Sequence, residues 1–259
     1  MSGSAGVMAL VLAETVAGSL AFLWCTPLWG EVKRGYFTLS GILLSVLAFA
    51  AWRAAASGAI AGGDAGRWSV RLTLACLVVT LAWTALQLLK VNGVARVLGP
   101  LSVLVSIAVL VVMAGTGRQG SALALFELLA GAAFLGSVMG GLLLGHWYLT
   151  DRGLTRKPIN RAALIMLVAV TLEAVAVIAG GFGGVGSSKE FNPLLTAGAL
   201  APWIALGMVG TTALVAVMVK ATLRGERASA VQSATGFFYL AVVTAFTAEV
   251  AVKIRFLPG

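Results

Sequence analysis

Residues 122–161 read ALALFELLAGAAFLGSVMGGLLLGHWYLTDRGLTRKPINR. Between 122 and 149 the only charged residue is Glu127, while Arg152, Arg156, Lys157 and Arg161 crowd into the segment that follows. A helix crossing a bilayer core of about 30 Å needs roughly 20 apolar residues. This run is long enough to span, and its basic tail holds one end in water. Lipid offers no hydrogen-bond partner to exposed backbone, which excludes an open sheet. The run also lacks the polar–apolar alternation of a barrel strand. It predicts a transmembrane helix.

The same ruler predicts eight helices, over about 7–29, 37–57, 69–90, 98–115, 122–149, 161–182, 195–219 and 231–253. They are separated by polar or glycine-rich breaks such as GEVKRGY, SGAIAGGDAGRW, KVNGVARV, GTGRQGS and KATLRGERAS. Composition agrees: 60% of the 259 residues are hydrophobic and 10% charged, against about 25% charged in a soluble domain. The expected fold class is an all-α, polytopic integral membrane protein, a single transmembrane domain over residues 1–259. The net charge of +9 sits in short segments between apolar runs, so it reads as membrane topology and not as a nucleic-acid surface. The N-terminal stretch MSGSAGVMALVLAETVAGS lacks the basic region of a signal peptide and carries Glu14, so it reads as a retained first helix.

Orientation follows from basic residues near helix ends. The connections after the first, third, fifth and seventh helices hold 11 of them: Lys33, Arg34, Lys90, Arg96, Arg152, Arg156, Lys157, Arg161, Lys220, Arg224 and Arg227. The other side holds seven: Arg53, Arg67, Arg71, Arg118, Lys189, Lys253 and Arg255. The richer side is expected to be cytoplasmic, which places both termini outside a bacterial-type inner (plasma) membrane. Trp24, Trp29, Trp52, Trp68 and Trp147 fall near predicted ends, where indoles favour the interface. Trp83 and Trp203 lie deeper and read as packing residues. Cys25 and Cys76 both lie in apolar runs and read as buried free thiols; no zinc-ligand set accompanies them.

Four glutamates fall inside the spans: Glu14, Glu127, Glu173 and Glu249. A carboxylate inside a membrane costs a few kcal/mol even on permissive scales, so each is a site candidate by default. In this topology all four lie in the outer half or near the midplane. Acids gathered at one depth can relay protons, hold a cation, or hydrogen-bond a quinone; alternatively, one or two snorkel and the others cap neighbouring helices as neutral acids. His146, the only histidine, lies 19 residues after Glu127, about 28 Å along the axis, so the two cannot share a site. With Trp147 and Tyr148 beside it, His146 can bind a quinone carbonyl or relay a proton, or simply sit at the interface. Haem would need an axial ligand beyond this histidine, such as one from a partner chain.

The glycines Gly131, Gly136, Gly140, Gly141 and Gly145 give two small-xxx-small spacings, which permit close helix approach. The segment 151–161 could dock an acidic partner or anionic headgroups. GTGRQG, residues 115–120, matches a dinucleotide fingerprint in letters only, because it joins two membrane helices without the strand such a site needs. Pro202 is expected to kink the seventh helix.

ETVAGSLAFLW from Glu14 echoes ELLAGAAFLGS from Glu127, sharing Glu-x-x-Ala-Gly. A duplicated four-helix unit, with halves 1–118 and 119–259, would produce that echo. On Glu14, Glu127 and these Ala-Gly pairs, about a tenth of the chain, the architecture resembles polytopic quinol-handling membrane anchors of the NrfD and DmsC kind. The resemblance implies two four-helix bundles, a quinone near membrane acids, and partner redox subunits. The cofactor-site residues expected on this reading are His146, Glu127, Glu173, Glu14 and Trp147. The leading expectation is a membrane subunit of a respiratory-type electron-transfer complex, at most a non-catalytic or quinone-site subunit of an oxidoreductase. A proton- or cation-coupled transporter and a structural assembly subunit are the alternatives.

Overall fold

The computed structural model describes residues 2–25, 30–59, 63–117, 120–151, 153–181, 193–225 and 229–256. The side chains of 193–199 and of Arg255 are also outside the described set, as are Trp29, Arg118, Arg152, Lys189, Arg227 and the connection 182–192. Eight helices account for nearly all of it: α1 Gly3–Cys25, α2 Arg34–Gly58, α3 Gly63–Leu88, α4 Asn92–Ala114, α5 Ser121–Thr150, α6 Lys157–Ala179, α7 Pro193–Thr222 and α8 Ser229–Phe256. Each is long and apolar enough to cross a membrane. The chain is an all-α polytopic membrane protein, and its outer faces carry large apolar side chains such as Val97, Leu104 and Val243, as a lipid-facing surface requires.

Neighbour contacts form two rings. Helix α1 packs on α2, α2 on α3, α3 on α4 and α4 back on α1; helices α5 to α8 close the same way. The rings meet chiefly through α1 against α5, with α1–α8 and α4–α5 contacts flanking. These two helices are also the most enclosed: 83% of the α1 span and 67% of the α5 span is buried, against half or less elsewhere.

Small residues make that central contact. A Cβ on Gly18 would lie 1.6 Å from the Ala132 carbonyl oxygen, and one on Gly136 would lie 2.1 Å from the Gly18 carbonyl carbon. The backbones therefore touch where the two echoed segments meet. The glycine series of α5 serves two neighbours: Gly140 receives the Phe22 ring of α1, while Gly141 and Gly145 receive Phe238 and Thr235 of α8. Backbone contact of this kind substitutes dispersion for the hydrophobic effect, which is absent between helices in lipid.

Several hydroxyls inside the bundle are satisfied locally. Thr15, Ser45, Thr73, Thr80 and Thr84 donate to carbonyls one turn back, so they need no water. Helix α7 runs through Pro202 as one element, and α4 likewise contains Pro100. Three expectations are corrected. Cys25 is exposed at the end of α1, where that helix leaves the bundle, whereas Cys76 is buried as expected. Trp203 is 62% exposed, facing outward from α7, while Trp83 is 1% exposed and packs in the interior. None of Glu14, Glu127, Glu173 and Glu249 snorkels; each is at most 1% exposed.

Gly18→Ala is expected to lower stability by about 1–3 kcal/mol through overpacking, read as a fall in Tm of the detergent-solubilised protein. Gly207→Ala, where a Cβ meets nothing within 4 Å, is expected to leave Tm unchanged or raise it.

Candidate functional site

The four intramembrane acids lie in the same half of the bundle. Glu14 is eleven residues from the start of α1 and Glu127 six from the start of α5; Glu173 is six from the end of α6 and Glu249 seven from the end of α8. At 1.5 Å per residue these are depths of roughly 9 to 16 Å, measured from the side that carries both chain termini. All four are at most 1% exposed.

Their centre is a basic residue that the sequence reading placed among the outer topology signals. Lys253 is fully buried, with its ammonium 2.6 Å from Glu14 Oε1 and 3.1 Å from Glu249 Oε2. It lies one helical turn after Glu249, so α8 presents carboxylate and ammonium on one face, and the ion pair to Glu14 ties α8 to α1. Phe256, one turn further, lies with its ring centroid 5.7 Å from the ammonium and is seated against Gly117.

Helix α5 supplies the floor. A Cβ on Gly131 would lie 2.7 Å from Glu14 Oε1 and 2.9 Å from Glu249 Oε1, so the two carboxylates occupy the volume that any side chain there would need. Glu173 on α6 lies within electrostatic range of Glu249, Lys253 and Glu14. Glu127 stands on α5 one turn before Gly131. Helices α1, α5, α6 and α8 thus build one enclosed ionisable group from both rings.

The charge balance is uneven. Glu14, Glu173 and Glu249 face one ammonium, and Lys253 is the only fully buried basic side chain among the described residues. With every group ionised the enclosure would hold two uncompensated negative charges. Burying an unpaired ion costs several kcal/mol even after relaxation, which disfavours full ionisation of these described groups together. Among the described residues no group of three His, Cys, Asp or Glu side chains is arranged to hold a metal ion.

His146 and Trp147 lie at the opposite end. His146 Nε2 is 2.6 Å from the Tyr239 hydroxyl, and Nδ1 is 3.3 Å from the Leu142 carbonyl oxygen. With Nδ1 carrying the proton toward Leu142, Nε2 accepts from Tyr239. Both ring nitrogens are engaged within the chain, an arrangement that fixes the ring. Trp147 packs over Gly35 and beside Tyr36, joining α5 to α2. The acids line neither the cavity of about 310 Å³ nor that of about 180 Å³, both of which open at this end.

The segment after α5 is drawn into the fold. Asp151 pairs with Lys33 at 2.9 Å, Thr155 donates to Glu31, and Lys157 approaches Glu31 at 4.0 Å. Arg156 donates to the Gly225 carbonyl. The contacts of Lys33 and Glu31 join the α1–α2 connection to the α5–α6 connection, across the boundary between the rings, and that of Arg156 joins the α5–α6 and α7–α8 connections within the second ring.

Of the expected residues, the structure brings Glu14 and Glu173 together and sets His146 and Trp147 apart from them. It adds Lys253, Glu249 and Tyr239. The Glu249-x-x-x-Lys253 spacing inside an apolar run was the readable signal for the first two; nothing in the sequence pairs Tyr239 with His146. The chain matches no family model, no curated protein and no solved structure.

Lys253→Met leaves two buried carboxylates without their cation and is expected to cost about 3–5 kcal/mol, seen as a lower Tm in detergent. Adding Glu14→Gln to that variant should recover much of the loss. A double variant as unstable as the single one would show that Lys253 acts by packing.

Proposed function

We propose that the chain is a proton-handling membrane subunit, in which Glu14, Glu173, Glu249 and Lys253 hold exchangeable protons in the half of the bundle bearing the chain termini. The observation that carries this reading is the enclosed mismatch of three acids against one ammonium. A purely structural ion pair needs one acid for one base. The surplus carboxyl groups are where protons enter, reside and leave, and the lysine keeps a fixed charge beside them that changes their proton affinity as neighbours load or empty.

The setting we favour is a respiratory-type electron-transfer complex, with partner redox subunits on the basic side and quinol as the proton source. The two-ring architecture supports it. So does the side carrying the basic connections, where the excess becomes 11 against 6 once the buried Lys253 leaves the count; that side is then cytoplasmic, with both termini outside a bacterial-type plasma membrane. A proton- or cation-coupled transporter is the second reading. It is favoured by the position of the acids at the seam between the rings, where rocking of one ring against the other would expose them alternately.

The test is carboxyl infrared difference spectroscopy on the protein as extracted with its native partners, joined to proton-flux measurement in proteoliposomes. A protonated-carboxyl band that shifts in D2O and is lost in Glu173→Gln, together with loss of quinol-linked proton transfer in an intact assembly, is the expected result. Proton-coupled solute uptake by the chain alone, abolished by the same variant, would select the transporter. Unchanged spectra and fluxes in both Glu173→Gln and Glu249→Gln would overturn proton handling.

A further inference from the structure

The wider of the two cavities lies at the other end of the first ring, where the basic side meets the membrane. It has a volume of about 310 Å³, at the lower end of the range for small-ligand pockets, about 300–1,000 Å³. Four helix ends converge on it: Trp24 from the end of α1, Arg34 and Phe37 from the start of α2, Gln87 from the end of α3, and Asn92 and Arg96 from the first turns of α4.

Its chemistry is one-sided. No acidic side chain lines it, and among the described residues no carboxylate pairs with either guanidinium. Arg34 is half-buried and spends one N–H on the Gln87 carbonyl, at the carboxyl end of α3; its remaining donors face no acceptor of opposite charge. Arg96 is exposed on the far wall. The start of α4 adds donors, because Val91 caps it without a side-chain hydrogen bond, leaving first-turn N–H groups unsatisfied within the helix; the carboxyl ends of α1 and α3 reach the same cavity.

The remaining walls are apolar and rigid. The Trp24 ring is pressed onto α4 at Gly99, where a Cβ would lie 2.6 Å from it, and Phe37 stands on the other side. On the same ends of α3 and α4, Leu88, Leu89, Val94 and Val97 are exposed. A compact anion with apolar substituents matches this combination. Two guanidiniums present planar forks suited to phosphate oxygens, and the aromatic walls and exposed valines and leucines suit the chains attached to it.

We propose that this cavity binds a phosphate group, that of an anionic phospholipid, held between Arg34 and Arg96 with its acyl chains along Val94 and Val97 of α4. The site is separate from the buried acids, which lie toward the opposite ends of their helices, and it stands whether or not those acids carry protons.

The experiment uses delipidated full-length protein and follows binding by native mass spectrometry and thermal shift. The probes are phosphatidylglycerol, phosphatidylcholine and inorganic phosphate. Phosphatidylglycerol is expected to bind and raise Tm, and phosphatidylcholine to do neither. The double variant R34Q/R96Q should weaken phosphatidylglycerol roughly tenfold or more, about 1.4 kcal/mol or more. Asn92→Glu, an exposed position that places a carboxylate in the lining, should do the same should R34Q/R96Q fail to fold. Arg224→Gln, exposed and remote from the cavity, should not. Inorganic phosphate competing with the lipid at equal concentration would assign the site to a free phosphate instead. Equal lipid binding by wild type, R34Q/R96Q and Asn92→Glu would overturn the proposal.

Discussion

An ammonium buried among carboxylates sets the terms for the rest of this molecule. Lys253 is held by Glu249 on its own helix and by Glu14 on α1, and both acids rest on α5 where Gly131 has no side chain. None of the three helices can turn about its axis or slide past the others without opening that group to hydrocarbon. In a soluble protein water would soften such a slip; in lipid the alternative to pairing is an unsolvated charge. The contact between Gly18 and Ala132, one turn deeper on α1, is the steric counterpart. Close backbones bring the acids within reach, and the ion pairs reward the close approach.

The two ends of the bundle do different work. Toward the end bearing the chain termini a buried group holds more acids than bases, while Arg67 and Asp64 pair at the surface. At the other end the polar groups are numerous, hydrated and matched: Lys33 with Asp151, Lys157 and Thr155 with Glu31, Arg156 with a carbonyl. Exposed pairs of that sort contribute little energy each. The value of the Lys33 and Glu31 contacts is geometric, since they run from the first ring to the second and hold the two in register on the side opposite the acids. Arg34 and Arg96 differ from these in lining one cavity that no acid lines, and that imbalance singles out their pocket from the loops around it.

The echoed Glu-x-x-Ala-Gly segments acquire a physical meaning once their positions are known. In each, the glycine one turn after the acid gives a neighbouring group room: Gly18 admits the α5 backbone, and Gly131 admits the Glu14 and Glu249 carboxylates. The same letters serve two kinds of close approach at the junction of the rings, one to peptide and one to charge. A small residue beside an acid at the most enclosed contact in a membrane bundle is a packing requirement in both halves, whatever their history.

Membrane insertion, the eight helices, their limits to within a few residues and the concentration of basic residues on one side were all legible in the chain, because hydropathy acts over windows of about 20 residues and needs no partner. The intramembrane acids were legible as exceptions to that hydropathy. What only the tertiary structure decided is which exceptions meet. Lys253 reads from sequence as one more basic residue near a helix end, Glu249 as an acid close to water, and His146 as a lone imidazole; rotation and contact of α1, α5 and α8 turn the first two into one buried group with Glu14 and give the third to Tyr239. Those pairings join residues far apart along the chain, and the face each helix turns inward is set by shape fit at glycines against neighbours. That information belongs to pairs of helices, and no single stretch of sequence contains it.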